Sequence, residues 1–547
     1  MVDTPSSHQI RFFACMEFDR EWDVIFIGAG QNNFTLGTYL GMAGLKTVIC
    51  ESRLENGGRL FSEEITLPGY WHNPLAYFQD NQESSPVWKE LEWERHHADF
   101  ITPVLVSSLL LSERRSLSHH QALDSTVASV GRFSAEDAGS WRKTHDRFHD
   151  LIRNYLIPYY YRPPERSRSL AAVVETDRAG EDFKRLSAMT PMQAVDELFE
   201  NGAVKALILS QMAIPGGVAI DYPGGGVEVL KLIAGDGKPA LARGGSHSIA
   251  QVLQRAYVRC GGQIRAVHHV EKILVDNGRA IGVRLRDDRE WTARRAVVSN
   301  VDPYSTFIEM VGKEKLPREF VEKVEAIALD EFSYFEVHLA LKAPVRYAYH
   351  EAEDAAVRQA LNVTIGPEKP ADLEEMWNEI RAGEFPDHAC LHTICPTQFD
   401  PLQAPAGKHT ASLFTPVPFQ LKGRKPEDWV KLKNGFMARL LGLWRQYATN
   451  LTDDNIEMKV ALDPFYISER WRNMRRGSVW VARKVPNQMG DQRPIPELAN
   501  YRTPIEGLYQ IGVATHPADA VIGGAGRNAW QILKEELGIE IRGPAAV

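Results

Sequence analysis

The chain has 547 residues, 44% of them hydrophobic and 24% charged, with 71 acidic against 63 basic side chains and a formal net charge of −8. That length predicts two or three domains, and the composition excludes a disordered or collagen-like chain. The acidic balance excludes any general electrostatic pull on nucleic acid. The five cysteines, Cys15, Cys50, Cys260, Cys390 and Cys395, are too scattered for a disulfide framework and fit a reducing, cytoplasmic setting. No run approaches 18 apolar residues, so no transmembrane helix is predicted.

Residues 1–20 read as a disordered leader, because Arg11 and the short patch Phe12–Cys15 lack the long apolar core of a signal peptide. The ordered pattern begins with Trp22–Ile27, an apolar β-rich run suited to a buried parallel strand. It enters Gly28-Ala29-Gly30, then a helical stretch Asn32–Ala43, then a second strand Lys46–Cys50 ending at Glu51. This is the order a dinucleotide site needs. Gly28 makes the tight turn, Gly30 lets backbone approach a pyrophosphate at the helix N-terminus, and Glu51 accepts from ribose hydroxyls. Asn33 replaces the usual third glycine, while Gly37 and Gly41 recur on one helical face and predict close packing there. Gly57-Gly58-Arg59 follow the second strand, and an arginine fork suits phosphate oxygens.

With Gln31-Asn32-Asn33 and the Glu-x5-Gly-Gly-Arg spacing from Glu51 to Arg59, the chain resembles the phytoene-desaturase-like FAD-dependent oxidoreductases, relatives of the amine oxidases. Further along, Ser246 reads as an N-cap for a helix near 248–259 that Gly261-Gly262 end. Alternating stretches at Ile264–Val270, Ile273–Val275, Ala280–Leu285 and Ala296–Val298 close on Ser299-Asn300-Val301-Asp302-Pro303, similar to a segment of that family. Tyr334–Leu341 resembles the opening strand of its substrate domain. Tyr501–Gly512, Thr515-His516-Pro517 and Gly523-Gly524-Ala525-Gly526 entering a terminal helix complete the likeness, with Ala518-Asp519-Ala520 departing from it.

The resemblance implies an α/β fold: a Rossmann-type, glutathione-reductase-like FAD-binding domain from the discontinuous segments 21–100, 241–310 and 495–547. An α+β substrate domain would come from 101–240 and 311–494. It implies one non-covalent FAD held by Gly28, Gly30, Asn32, Glu51, Gly57, Gly58, Arg59, the backbone of Val270, Gly512, Gly523, Gly524 and Gly526. The activity implied is hydride removal from a C–H bond of an apolar terpenoid, polyene or alicyclic substrate. Oxygen, a quinone or a carrier would accept the electrons. A redox-neutral isomerase and a catalytically silent FAD scaffold are the alternatives. His516 is the leading catalytic candidate, with Asp519 and Tyr509 behind it.

Other signals read as structural. Cys390 and Cys395 have a redox-dithiol spacing but lie deep in the second domain, and read as buried thiols. The pairs His96-His97, His119-His120 and His268-His269 lack partners at metal spacing, so no metal site is predicted. The run Tyr155, Tyr159, Tyr160 and Tyr161 would line a tunnel or fill a core. The apolar stretch Ala203–Ile220 would touch a membrane or a greasy substrate, or form a buried helix and loop.

Overall fold

The computed structural model describes residues 20–539, apart from 81, 82, 84, 165–177, 236, 348–355, 519 and 520. The expected leader therefore lies outside the described residues. The run Glu21–Ile27 is the central strand of a seven-stranded sheet, with Val24, Ile25 and Phe26 wholly buried. It pairs in parallel with Thr47–Cys50 on one side and Glu290–Ser299 on the other. Gln263–Arg265 extends the first flank in parallel, and the antiparallel strands Arg279–Leu285 and Val270–Asp276 extend the second. Leu508–Gln510 runs parallel to the end of Glu290–Ser299, so both parallel neighbours of that strand arrive from distant parts of the chain.

The first helix, Gln31–Met42, packs between the helices His247–Arg259 and Gly524–Glu536. A Cβ at Gly37 would stand 2.6 Å from the Tyr257 ring, and one at Gly41 would stand 2.7 Å from the Cys260 carbonyl oxygen. The close packing expected at these two glycines is present. Ser246 behaves differently from the expectation. It gives no side-chain cap; its hydroxyl donates to the Phe61 carbonyl at 2.8 Å and its N–H to Asn73 Oδ1 at 2.9 Å. The helix start is thus tied to the 61–73 segment.

The second large sheet has the strand order Ile456–Leu462, Ser333–Leu341, His409–Val417, Leu391–Ile394, Ala360–Ile365, Leu105–Leu110 and Ser116–His120. Its pairings are antiparallel except that between Ala360–Ile365 and Leu105–Leu110. Side chains alternate across a strand, so its two faces differ. Phe335, Val337 and Leu339 pack with Phe436, Leu440 and Trp444 of helix Trp429–Tyr447. The opposite face carries Tyr334, Glu336, His338, Ser412, Phe414 and His392, all buried.

Ala203–Ile220 forms the helix Gly202–Gln211 and a buried turn, with Val204 and Leu207 in the core. Most of the stretch is core, while Met212 and Ile214 line the cavity described below. Tyr160 and Tyr161 are also buried, while Tyr159 packs on His516. Cys390 and Cys395 are free and buried, as expected of structural thiols, and burial pushes the Cys390 thiol up.

Candidate functional site

The glycine turn is built by local hydrogen bonding. Gly28, at φ 88°, occupies left-handed backbone that a side chain would strain. The N–H of Gly57 donates to the Ala29 carbonyl at 2.8 Å, which brings Gly58 within 3.6 Å of the Gly30 Cα, measured from an ideal Cβ. Asn33 supplies what its position lost with the third glycine. Its amide donates to the carbonyls of Ile27 at 3.0 Å and Gly28 at 2.7 Å, and so clamps the turn to the strand end. The Glu51 carboxylate accepts from the N–H groups of Ala29 and Arg53, both at 2.8 Å, and from the Ser52 hydroxyl at 3.1 Å. An acidic side chain at the end of the second strand therefore stands beside the turn, with its remaining lone pairs open to a ligand.

These groups line one cavity of about 910 Å³. Its first part is bounded by Gly28, Gly30, Asn32, Glu51, Gly57, Gly58, Arg59 and Val270, eight of the twelve residues expected to hold a cofactor. The Arg59 guanidinium stands 4.8 Å from the Trp480 ring centre, on the route to the second part. There the wall is Leu75, Tyr77, Met212, Ile214, Phe414 and Trp480, facing inward from the second sheet and its neighbouring helices.

Glu336 lies in that wall and is wholly buried. Its carboxyl accepts from the N–H of Leu75 at 3.2 Å and is hydrogen-bonded to His338 Nε2 at 3.1 Å, and His338 Nδ1 is hydrogen-bonded to the Ser412 hydroxyl at 2.8 Å. Burial pushes Glu336 up to about 8, against the pull of the Leu75 N–H, and pushes His338 down to about 3. At neutral pH both are uncharged, so their contact is a neutral hydrogen bond and not an ion pair. Leu75 sits at φ 62° and Val481 at φ 63°, two side-chain-bearing residues held in left-handed backbone on the same wall. Lys484 also reaches the wall. It donates to the Gly216 carbonyl at 2.7 Å, and burial pushes it down to about 8 against the pull of Glu228. Sequence reading missed Glu336. The signal was the alternation Tyr334-Phe335-Glu336-Val337-His338-Leu339, a polar face on a strand buried on both sides.

No protein-family model matches the chain. A limonene dehydrogenase polypeptide from Castellaniella defragrans is 28% identical over 537 residues, covering 95% of this chain and 96% of that one. A lycopene-forming phytoene desaturase from a Paracoccus species is 24% identical over 537 residues, covering 94% and 97%. Among solved structures, a putrescine oxidase variant superposes with TM-score 0.62 at 14% identity over 95% of this chain and 100% of that one. Cyclohexylamine oxidase from Brevibacterium oxydans gives 0.57 at 15% over 94% and 99%. Over nearly its whole length the chain is similar to these dehydrogenases and desaturases. It is an oxidoreductase, and its glycine turn, Glu51 and Gly57-Gly58-Arg59 point to FAD. The residues present fit that cofactor. The first helix opens on Gly30 without a side-chain cap, which leaves backbone donors and the positive helix end toward the cavity. Asp302 Oδ2, in the same lining, is buried without a hydrogen-bond partner, and burial pushes that carboxyl up to about 6.

The C-terminal residues of the expected set are placed differently. Gly512, Gly523, Gly524 and Gly526 are not among those lining the cavity; Ile511, Val513, Ala514, Val521 and Ile522 are. A Cβ at Gly526 would collide with the Asn32 carbonyl, and one at Gly523 would stand 2.5 Å from Thr35 Oγ1. One at Gly512 would strike Asn300, and one at Gly524 would stand 2.6 Å from Val521. These glycines let the last helix and its entry seat against their neighbours, and the Gly526 N–H donates to Asn32 Oδ1 at 3.2 Å. His516 does not line the cavity either. It is 2% exposed, its Nε2–H donates to the Tyr159 carbonyl at 3.0 Å, and burial pushes it down to about 4. Tyr509 donates to Glu536 at 2.6 Å, tying the last strand to the last helix. Asp519 lies outside the described residues.

Proposed function

We propose that this flavoprotein is a dehydrogenase or desaturase of a mostly apolar terpenoid, polyene or alicyclic molecule. The observation that carries the reading is the single cavity joining the Glu51 turn to an aromatic and aliphatic wall that bears one uncharged acid. Gly28, Gly30, Asn32, Glu51, Gly57, Gly58, Arg59 and Val270 would hold FAD without a covalent bond. Bound FAD supplies a two-electron acceptor for hydride. The chain does the rest. Tyr77, Phe414, Met212 and Ile214 exclude water and orient the carbon skeleton, and Glu336 holds or takes a proton at its carboxyl oxygens. An acid that stays protonated near neutrality also favours a second reading, an isomerase that returns the same proton. Oxygen, a quinone or a carrier would receive the electrons.

The test is the flavin absorbance of purified, FAD-loaded protein under anaerobic addition of limonene, phytoene and related alicyclic compounds. Bleaching by one of them is expected, with release of intact FAD on heat denaturation. Release of FMN, or no bleaching across the panel, overturns the dehydrogenase reading. Product formed without bleaching selects the isomerase.

A further inference from the structure

Six consecutive residues, Glu469–Met474, come from the part of the chain that builds the second sheet, yet they line the cavity beside the Glu51 turn. They begin at the end of helix Pro464–Arg470, which follows the edge strand Ile456–Leu462 of that sheet. Glu469 and Arg472 are exposed while Trp471 and Met474 are buried, so this strap is a single layer of residues between the cavity and solvent. Against it lie Ser52, Arg53 and Glu55, which follow Glu51 and line the same cavity. Two kinds of contact fasten the strap. Arg470 forms an ion pair with Glu63, whose carboxylate also stands 3.4 Å from Arg53. Trp471 packs on Phe61 with ring centres 4.8 Å apart, and the Arg53 and Arg470 guanidinia stand 5.4 Å and 5.5 Å from its ring centre. Farther along, burial, Arg286 and Arg472 push the His269 imidazole down, so the strap reaches toward the residue before Val270.

The Glu63 side chain is 23% exposed, so its attraction for two guanidinia is screened less than that of a surface pair. Each guanidinium also lies on the Trp471 ring, whose face attracts a cation. Without the charge of Glu63, two like charges would face each other across that ring. One carboxylate thus holds the strap down beside Glu51. Glu63 itself does not line the cavity, so its substitution takes no group away from a ligand. We propose that Glu469–Met474 is a latch that completes the cofactor site over its Glu51 end, fastened by Glu63 and lifting each time FAD enters or leaves. The inference rests on the FAD reading of this cavity and adds a wall from the other sheet to it. A latch of this kind governs entry and exit alike, whereas a group that only touches bound cofactor governs exit alone.

The experiment follows flavin fluorescence of the full chain in both directions: FAD uptake by flavin-stripped protein, and FAD release after large dilution of loaded protein. Glu63→Gln should speed release and uptake together, each about fivefold, and leave the dissociation constant within about twofold of native. Arg470→Gln should do the same to a lesser degree. The combined variant should exchange FAD no faster than Glu63→Gln, because both substitutions break one contact. Unchanged exchange in Glu63→Gln overturns the latch and leaves the FAD reading standing. Faster release with native uptake does so too, since it makes Glu63 a support for bound cofactor. A combined variant that multiplies the two single effects removes Glu63 and Arg470 as one fastening and overturns the latch as drawn. Native protein that takes up no FAD overturns the FAD reading and the inference with it.

Discussion

A carboxylic acid that keeps its proton at neutral pH is the least expected residue of this molecule. Glu336 holds its proton up to about 8, while the unfolded chain releases it near the ordinary value of about 4.5. A raised carboxyl favours the folded state fully below the unfolded value, and that advantage drains away as pH rises toward about 8. Glu336→Gln removes the drain and retains an acceptor for Leu75. Relative to the native protein, the variant should therefore gain a few kcal/mol of stability between pH 5 and pH 8.5. Chemical denaturation at the two pH values measures this, and a gain that does not change with pH would refute the neutral acid. Much of the turn was readable from residues alone, because Gly28, Gly30 and Glu51 act through bonds to near neighbours in the chain. Glu336 was not, because its chemistry depends on burial by strands 70 to 130 residues away, about the spacing of His409–Val417 and Ile456–Leu462. The surroundings of His516 were hidden for the same reason. Its place beside the C-terminal turn is local, but the carbonyl that engages it belongs to Tyr159.

At the scale of elements, hydrophobic periodicity located the central strand, the first helix and the strands from Gln263 to Ser299 to within a few residues. It did not reveal that Leu105–His120 joins the second sheet, since that hairpin is fixed by a parallel pairing with Ala360–Ile365. The first helix offers a direct test of packing against propensity. Gly37→Ala would add about 1 kcal/mol of helix propensity. The new Cβ would stand 2.6 Å from a Tyr257 ring that cannot easily retreat, because its hydroxyl donates to the Gln263 carbonyl at 3.2 Å and accepts from Thr47 at 3.0 Å. Overpacking of this kind costs about 1–3 kcal/mol and outweighs the gain. Gly37→Ala should melt earlier than the native protein. A higher melting temperature would show that the two helices have room to part.

At the scale of the molecule, Arg493 binds distant segments together. It is wholly buried, and its guanidinium donates to the carbonyls of Trp480 at 3.2 Å, Ala482 at 3.1 Å, Gln488 at 3.1 Å and Val513 at 2.9 Å. Trp480 and Val513 both border the cavity. Arg493→Met should remove several kcal/mol of stability, since it leaves buried carbonyls without donors, and should release FAD at a lower temperature. Arg493→Lys should rescue little, because an ammonium cannot span the fork. Retention of FAD and melting temperature by the Met variant would show that the segments hold without it.

The hydrogen bond from Gly526 to Asn32 spans 494 positions of sequence. A ribosome delivers Asn32 long before Gly526. Between these events the first helix exists without the partner that seats against Gly523 and Gly526, and the strand Glu290–Ser299 lacks the neighbour at Leu508–Gln510. Closure of the site therefore waits on distant chain: a growing polypeptide carries the nucleotide turn through the synthesis of more than 450 further residues before the wall at Ile511–Ala514 can form.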